Sequence, residues 1–204
     1  AGTLDIDLTD TNFEFHENVS QNGNLVFGTN AYINPTRPVK LQVHNNELYT
    51  LYASPNTNGV NPYTYVLGVD KYSSLSGLLL TNSPSLVILY NYPNERSDFS
   101  ISKNGDITFF VDYLGSASIG ALNFGTVGLG DILLAQFTNS GVFKWAKQLQ
   151  SPTSERIGGI SSDTSNNIYI SGTFNNTMTI DTTVIQSVGR DIFTAKLNPN
   201  GGLE

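Results

Sequence analysis

The chain has 204 residues, a formal net charge of −7 and no cysteine. Its ten lysine and arginine residues are scattered singly, so no basic patch is available to neutralise a nucleic-acid backbone. The absence of cysteine excludes disulfides, thiolate metal sites and cysteine nucleophiles. The longest apolar runs, such as residues 86–90, are far shorter than the roughly 20 residues of a membrane helix, which argues against membrane insertion.

Charged residues make up only 13% of the chain, so the polar surface consists largely of Asn, Ser and Thr. These residue types favour turns and strand edges over the interior of helices. We therefore expect an all-β protein with almost no helix.

Short polar turns that end in glycine recur along the chain. Gly23, Gly77, Gly141 and Gly201 follow such turns, at separations of 54, 64 and 60 residues. A repeat of about 60 residues predicts that copies of one unit stack on each other to bury a common core. We therefore expect one repeat region over residues 1–204.

Each repeat is predicted to contain four antiparallel strands, A to D, joined by tight Asn and Gly turns. A partial unit supplies strands C and D, two full units follow, and a final unit supplies A, B and C. Extra hairpins near Leu4, Leu122 and Met178 are expected to lengthen the middle strands. The predicted units are, in chain order, 1–37 (partial), 38–96 (first full unit), 97–156 (second full unit) and 157–204 (final, partial unit).

Stacked four-stranded sheets predict a β-propeller-like array of about three blades plus partial strands. Single-chain propellers close with about four to eight blades, so this array is expected to be incomplete by itself. The chain is a piece of a longer protein, is completed by oligomerisation of copies, or is an open array capped by other parts. We favour the first because the final unit stops after strand C. Leu203 and Glu204 are equally well explained as residues left by an expression vector or as part of the natural sequence. No functional role is predicted for them.

Three segments of the second half carry a family resemblance. Residues 141–148 (GVFKWAKQ), 163–174 (DTSNNIYISGTF) and 189–201 (GRDIFTAKLNPNG) together resemble the bacterial β-propeller repeats called SBBP repeats. The resemblance covers most of the chain and is strongest from Gly130 onward. It implies a secreted or cell-surface protein and transfers no catalytic residue.

The sequence contains no catalytic motif of the nucleophile-elbow, zinc-protease or phosphate-loop type. Its two histidines, His16 and His44, fall at different positions of the repeat. Glycoside hydrolysis requires two carboxylates facing each other across a cleft, and the predicted inner strands offer only Asp163. We therefore expect no enzymatic activity, no cofactor and no metal site.

Asp131 and Asp191 recur 60 residues apart, just ahead of strand C. A recurring carboxylate suits a calcium ligand or a sugar contact. Aspartate in such a position more commonly accepts hydrogen bonds from backbone amides, and this is the role we expect. The segment DTSNN at Asp163 is a weak approximation to a calcium loop.

These observations predict a non-catalytic extracellular or cell-surface module for interaction or scaffolding, whose partner is another protein or a second copy bound at open blade edges. The alternative is a carbohydrate-binding, lectin-like module, and a carbohydrate-active enzyme is less favoured. Exposed aromatic rings beside amide groups suit sugar binding, and the loops 54–63 and 90–98 break the repeat pattern. Trp145 is also expected to pack between blades. The candidate ligand-binding residues are Tyr63, Tyr65, Tyr90, Tyr92 and Trp145.

Overall fold

A computed structural model describes residues 37–55, 64–73, 79–89 and 97–204. Within these ranges the chain forms strands and turns and no helix, which confirms the all-β prediction. The predictions for the partial unit 1–37 lie outside the described residues. The described part of the chain contains no helix that is long and apolar enough to cross a membrane.

Thirteen strands follow each other in the described ranges. They are β1 (Arg37–His44), β2 (Glu47–Pro55), β3 (Thr64–Ser73), β4 (Leu79–Leu89), β5 (Ser97–Ile101), β6 (Ile107–Tyr113), β7 (Ser116–Ile119), β8 (Leu122–Gly125), β9 (Asp131–Phe137), β10 (Phe143–Gln150), β11 (Arg156–Ser162), β12 (Ile168–Ile180) and β13 (Thr183–Leu197).

Neighbouring strands pair antiparallel within each predicted unit. The first full unit runs β1-β2-β3-β4, the second runs β5-β6-β9-β10, and the final unit runs β11-β12-β13. The sequence predicts that each unit forms a separate sheet, and this prediction is wrong. Hydrogen bonds join them into a six-stranded sheet, β1-β2-β3-β4-β7-β8, and a seven-stranded sheet, β11-β12-β10-β9-β6-β5, with β13 on β12.

The extra hairpins predicted near Leu122 and Met178 are confirmed, and they connect neighbouring units. The hairpin predicted near Leu4 lies outside the described residues. Hairpin β7–β8 adds to β4 of the preceding unit, where Ser118 lies opposite Val87. In the final unit the hairpin is the extended end of β12 and β13, and Ile180 lies opposite Leu149 of β10. Both residues of the second pair lie 62 positions after those of the first. Each hairpin therefore pairs with the last strand of the preceding unit and widens its sheet.

The larger sheet curls into a nearly closed, barrel-like form, so that its end strands β5 and β11 lie side by side. Side chains connect the two strands. The hydroxyl groups of Ser100 and Ser162 are hydrogen-bonded at 2.8 Å, and the Ile160 amide donates to Asp98 Oδ2 at 3.3 Å. β5 and β11 therefore meet without a regular backbone ladder.

Strand β1 of the first full unit meets β5 in the same way. Gln42 Nε2 donates to the Phe99 carbonyl at 2.7 Å, and Gln42 Oε1 accepts from the Ile101 amide at 3.2 Å. Lys40 Nζ lies 2.5 Å from Asp98 Oδ2. The first strands of the three described units thus adjoin in the order β1, β5, β11.

Two hydrophobic cores lie on opposite faces of β6 and β9. Every residue of these two strands is buried, because each strand packs on both faces. The odd-numbered residues, such as Phe109 and Leu133, join the core shared with the first full unit. The even-numbered Phe110 and Leu134 join the core shared with the final unit. The second full unit is therefore the central layer of the described fold.

The recurrent glycine turns are structurally equivalent after β9 and β13. Gly141 donates its N–H to the Thr138 carbonyl, and Gly201 donates to the Asn198 carbonyl, each at 2.9 Å. Leu203 then bridges the last residue of β13 and packs against the second core. Leu203 thus takes a defined place in the fold of the final unit.

Candidate functional site

The five predicted ligand-binding residues are spread over different parts of the chain. Tyr63, Tyr90 and Tyr92 lie outside the described residues. Tyr65 lies in β3, in register with β2 and β4, and Trp145 lies in β10 of the next unit.

Trp145 packs between the second full unit and the final unit. Its half-buried ring lies against the second core, and its indole N–H donates to Gln136 Oε1 at 3.0 Å and to the Pro199 carbonyl at 3.3 Å. Gly201 lies close beneath the ring. The indole N–H of Trp145 therefore makes its hydrogen bonds within the protein, which agrees with the packing role expected for this residue.

Asp131 and Asp191 both accept hydrogen bonds from backbone amides, which confirms the expected role. Asp131 is fully buried, and its Oδ2 accepts from the Val127 amide at 2.9 Å and from Gln148 Nε2 at 2.7 Å. Asp191 is exposed, and its Oδ1 accepts from the amide of Ile192 at 2.8 Å. The difference arises because β10, which carries Gln148, has no counterpart beside Asp191 in the described part of the final unit.

Asp163 organises the turn between β11 and β12. Its Oδ1 accepts from the amides of Ser165 and Asn167, and its Oδ2 accepts from the Asn167 side chain and the Tyr169 hydroxyl, all at 2.8–3.1 Å. The Asn167 side chain is the largest cause of a lowered pKa at Asp163. A carboxyl group whose pKa is lowered in this way is poorly suited to general-acid catalysis.

The outward face of the final unit is more polar than its counterpart one unit earlier. The cross-strand pair Phe110 and Leu134 is buried in the second core. The pair at the same register of the final unit is Ser171 and Thr194, where Thr194 is exposed. A polar outer face is typical of the terminal unit of a stacked array.

A shallow depression of about 480 Å³ lies on this outward face. Its aromatic wall is Tyr169, which is 42% exposed, and its polar lining includes Ser161, Ser171 and Lys196. Lys196 pairs with Glu204, which raises the pKa of the lysine. The depression thus combines one accessible ring with hydroxyl groups and a neutralised cation.

The outer edge of β13 is free over most of its length in the described structure. β13 pairs with β12 on one side, and only the segment after the Gly201 turn reaches its other side, at the end of the strand. We call residues 183–195 the free β13 edge. It exposes three apolar side chains, those of Val184, Val188 and Ile192. Residues 191–195 of this edge correspond to β9, which is covered by β10 and wholly buried. Residues 183–187 correspond to β8, which also ends its sheet.

No protein-family model matches the chain, and no curated protein matches it. The resemblance to SBBP repeats therefore stays a prediction from the sequence.

Proposed function

We propose that the chain is a non-catalytic interaction module built as a β-propeller-like array, and that it associates through the free β13 edge. The observation that carries this proposal is the contrast between residues 191–195 of β13 and their counterpart β9, which is buried beneath a fourth strand. The expected location, the extracellular space or the cell surface, rests on the SBBP resemblance alone.

The arrangement of strands supports the propeller-like array. Each described unit is a meander, and the three first strands adjoin in the order β1, β5, β11. Blades arranged around an axis bring their innermost strands together in this way. The recurrence of the hairpin connection at an interval of 62 residues also supports a repeated geometry between units.

The physical chemistry of strand edges supports association at β13. An unpaired edge presents backbone N–H and C=O groups to any strand that can complete the ladder. Ile192 is 72% exposed and Val188 fully so, and burial of such side chains favours association. The more polar outward face offers less apolar area for stacking, so strand addition at the edge is the favoured mode. In a solution of the isolated chain, the available partner is a second copy.

Hydrogen exchange tests this mode of association. We expect the amides of residues 183–195 that point away from β12 to exchange quickly in dilute protein and to become protected as the concentration rises. Amides of β9, residues 131–137, serve as the internal control because they are covered at every concentration. Association without added protection in 183–195 would refute the proposed mode.

Carbohydrate binding is the second candidate function, and the depression around Tyr169 is the observation that favours it. A sugar ring stacks on an exposed aromatic side chain while hydroxyl groups bond to its edge. A glycan array would show binding by the wild type, loss of binding in Tyr169→Ala and retention in Val142→Ala, an exposed position in the turn before β10. Retained binding in Tyr169→Ala would exclude this depression as the site.

A further inference from the structure

Glu155 is a buried carboxyl group without a hydrogen-bond partner. The residue is 2% exposed, and neither Oε1 nor Oε2 makes a hydrogen bond. Burial raises the pKa of Glu155 to about 7. The nearby Ser151 hydroxyl, which lies outside normal hydrogen-bond geometry, lowers this pKa, and the charge of Asp131 raises it further. A carboxyl group in this state requires a proton or a cation to offset the loss of water.

The neighbouring Asp131 is a second fully buried carboxyl group. Its Oδ2 accepts hydrogen bonds from the Val127 amide and the Gln148 side chain, and its Oδ1 accepts from the Ser151 amide at 3.5 Å. A second buried acidic side chain therefore lies beside the unpaired oxygens of Glu155.

Tyr113 adds a third buried oxygen whose hydrogen-bonding capacity is not used. It lies directly opposite Asp131 in the β6–β9 ladder, so the two side chains share one face of the sheet. Its hydroxyl group has no hydrogen-bond partner. Burial is the main cause of a raised pKa at Tyr113, and the charge of Asp131 raises it further. Two independent side chains, Glu155 and Tyr113, thus have unsatisfied oxygens near the same aspartate.

We propose that Asp131, Glu155 and Tyr113 contribute to a buried site for a hard divalent cation of the calcium type. The three side chains supply only oxygen donors, which hard cations prefer over the nitrogen and sulfur donors that zinc or copper select. Two carboxylates match the charge of a divalent ion. No third acidic or histidine side chain joins them among the described residues, so backbone carbonyls and water would complete the coordination.

The position of this site gives the cation a structural role. Asp131 begins β9, whereas Glu155 ends the loop that leads from β10 to β11. The two loops already contact each other, because the Leu129 amide donates to the Thr153 carbonyl at 3.0 Å and Gly130 bridges Ser154. A bound cation would fasten this contact and so stabilise the junction between the second full unit and the final unit.

A calcium titration tests the site. We expect chelator-treated wild-type protein to gain several degrees in Tm on addition of millimolar Ca²⁺ and to bind Tb³⁺ with emission sensitised by Tyr113. Glu155→Gln, which keeps the side-chain shape, should lose both responses. Asp191→Asn removes the exposed aspartate at the equivalent repeat position and should retain both.

These measurements distinguish a bound cation from a proton that Glu155 shares with Asp131. If Glu155 instead holds a proton shared with Asp131, Ca²⁺ leaves the Tm of the wild type unchanged, and the proposal is overturned. An equal Ca²⁺ response in Glu155→Gln overturns it too. In Tyr113→Phe, we expect Tb³⁺ emission to fall, while the Ca²⁺-dependent rise in Tm is largely kept. Undiminished Tb³⁺ emission in this variant would show that Tyr113 is not part of the site. Far-UV circular dichroism establishes that each variant is folded.

Discussion

At the scale of single residues, Asp131 and Asp191 show that an equivalent position in a repeat does not guarantee an equivalent environment. Asp131 begins β9 and Asp191 lies at the equivalent position within β13, and both accept hydrogen bonds from backbone amides. Asp131 is buried because the loop before β9 and the strand β10 close over it, whereas Asp191 stays in solvent. The environment of each aspartate is decided by neighbouring strands, which the local sequence does not specify.

Two glycines with the same backbone conformation provide a residue-scale prediction. Gly189 and Gly201 have φ values of +83° and +81°, but a Cβ would meet open space at Gly189 and the Trp145 ring, at 2.8 Å, at Gly201. We expect Gly189→Ala to lower the free energy of unfolding by about 1 kcal/mol for the backbone alone. Gly201→Ala should cost at least about 1 kcal/mol more because of the overlap with the ring.

Urea denaturation of the two glycine variants measures this difference. In a Trp145→Ala background the extra cost at Gly201 should disappear, since the atoms that a Cβ would meet are gone. Equal losses at the two glycines in the wild-type background would show that the ring moves away freely.

The pKa of Glu155 predicts a pH dependence of stability in the cation-free protein. Its pKa is raised from the usual 4.5 to about 7 on folding, so the folded state binds this proton more tightly than the unfolded state does. The stabilising contribution is complete below about pH 4.5 and is lost as the pH rises through 7. Its full size is on the order of 3 kcal/mol, from about 1.4 kcal/mol per pKa unit.

The variant Glu155→Gln does not titrate, so in the presence of chelator its free energy of unfolding should lack this decline. The difference between wild type and variant should therefore grow steadily in favour of the variant between about pH 5 and 8. Asp191→Asn controls for the removal of one carboxylate at an exposed site. Parallel curves for wild type and Glu155→Gln would mean that the carboxyl group is not buried as described.

At the scale of elements, the hairpin that joins β12 to β13 fastens the final unit to the second full unit. Met178 in this hairpin is fully buried in the second core. We expect Met178→Ala to lower the free energy of unfolding by about 2–4 kcal/mol, the usual cost of removing a large buried side chain. Val184 lies opposite Thr179 in the same hairpin and is exposed, so Val184→Ala should change stability by less than about 0.5 kcal/mol. Chemical denaturation measures both, and similar values for the two variants would contradict docking of this hairpin.

The positions of individual strands could be predicted from the sequence because their signals are local. Alternating apolar residues and glycine turns mark β12 from Ile168 onward and the end of β13 before Gly201. The joining of sheets across units could not be predicted, since the pairing of Val87 with Ser118 depends on packing between distant segments. Glu155 was missed for a similar reason: a glutamate in a polar loop is normally solvated, and only the fold buries it.

At the scale of the whole molecule, the described units form a layered array with the second full unit in the middle. The second full unit is covered on both faces, and the final unit turns a more polar face outward. The final unit exposes the apolar side chains of Val184, Val188 and Ile192 along the free β13 edge. We expect this edge to carry association between chains.

Light scattering after size-exclusion chromatography tests that claim most directly. The chain has a mass of 22.1 kDa, and we predict a larger species at high concentration whose mass is a multiple of this value. The double variant Val184→Lys with Ile192→Lys, which places charges on the edge, should shift toward the monomer, because charged edges oppose strand addition. Val142→Lys, an exposed valine away from the edge, should behave like the wild type. A strict monomer at every concentration, or association that the double variant leaves intact, would contradict the claim.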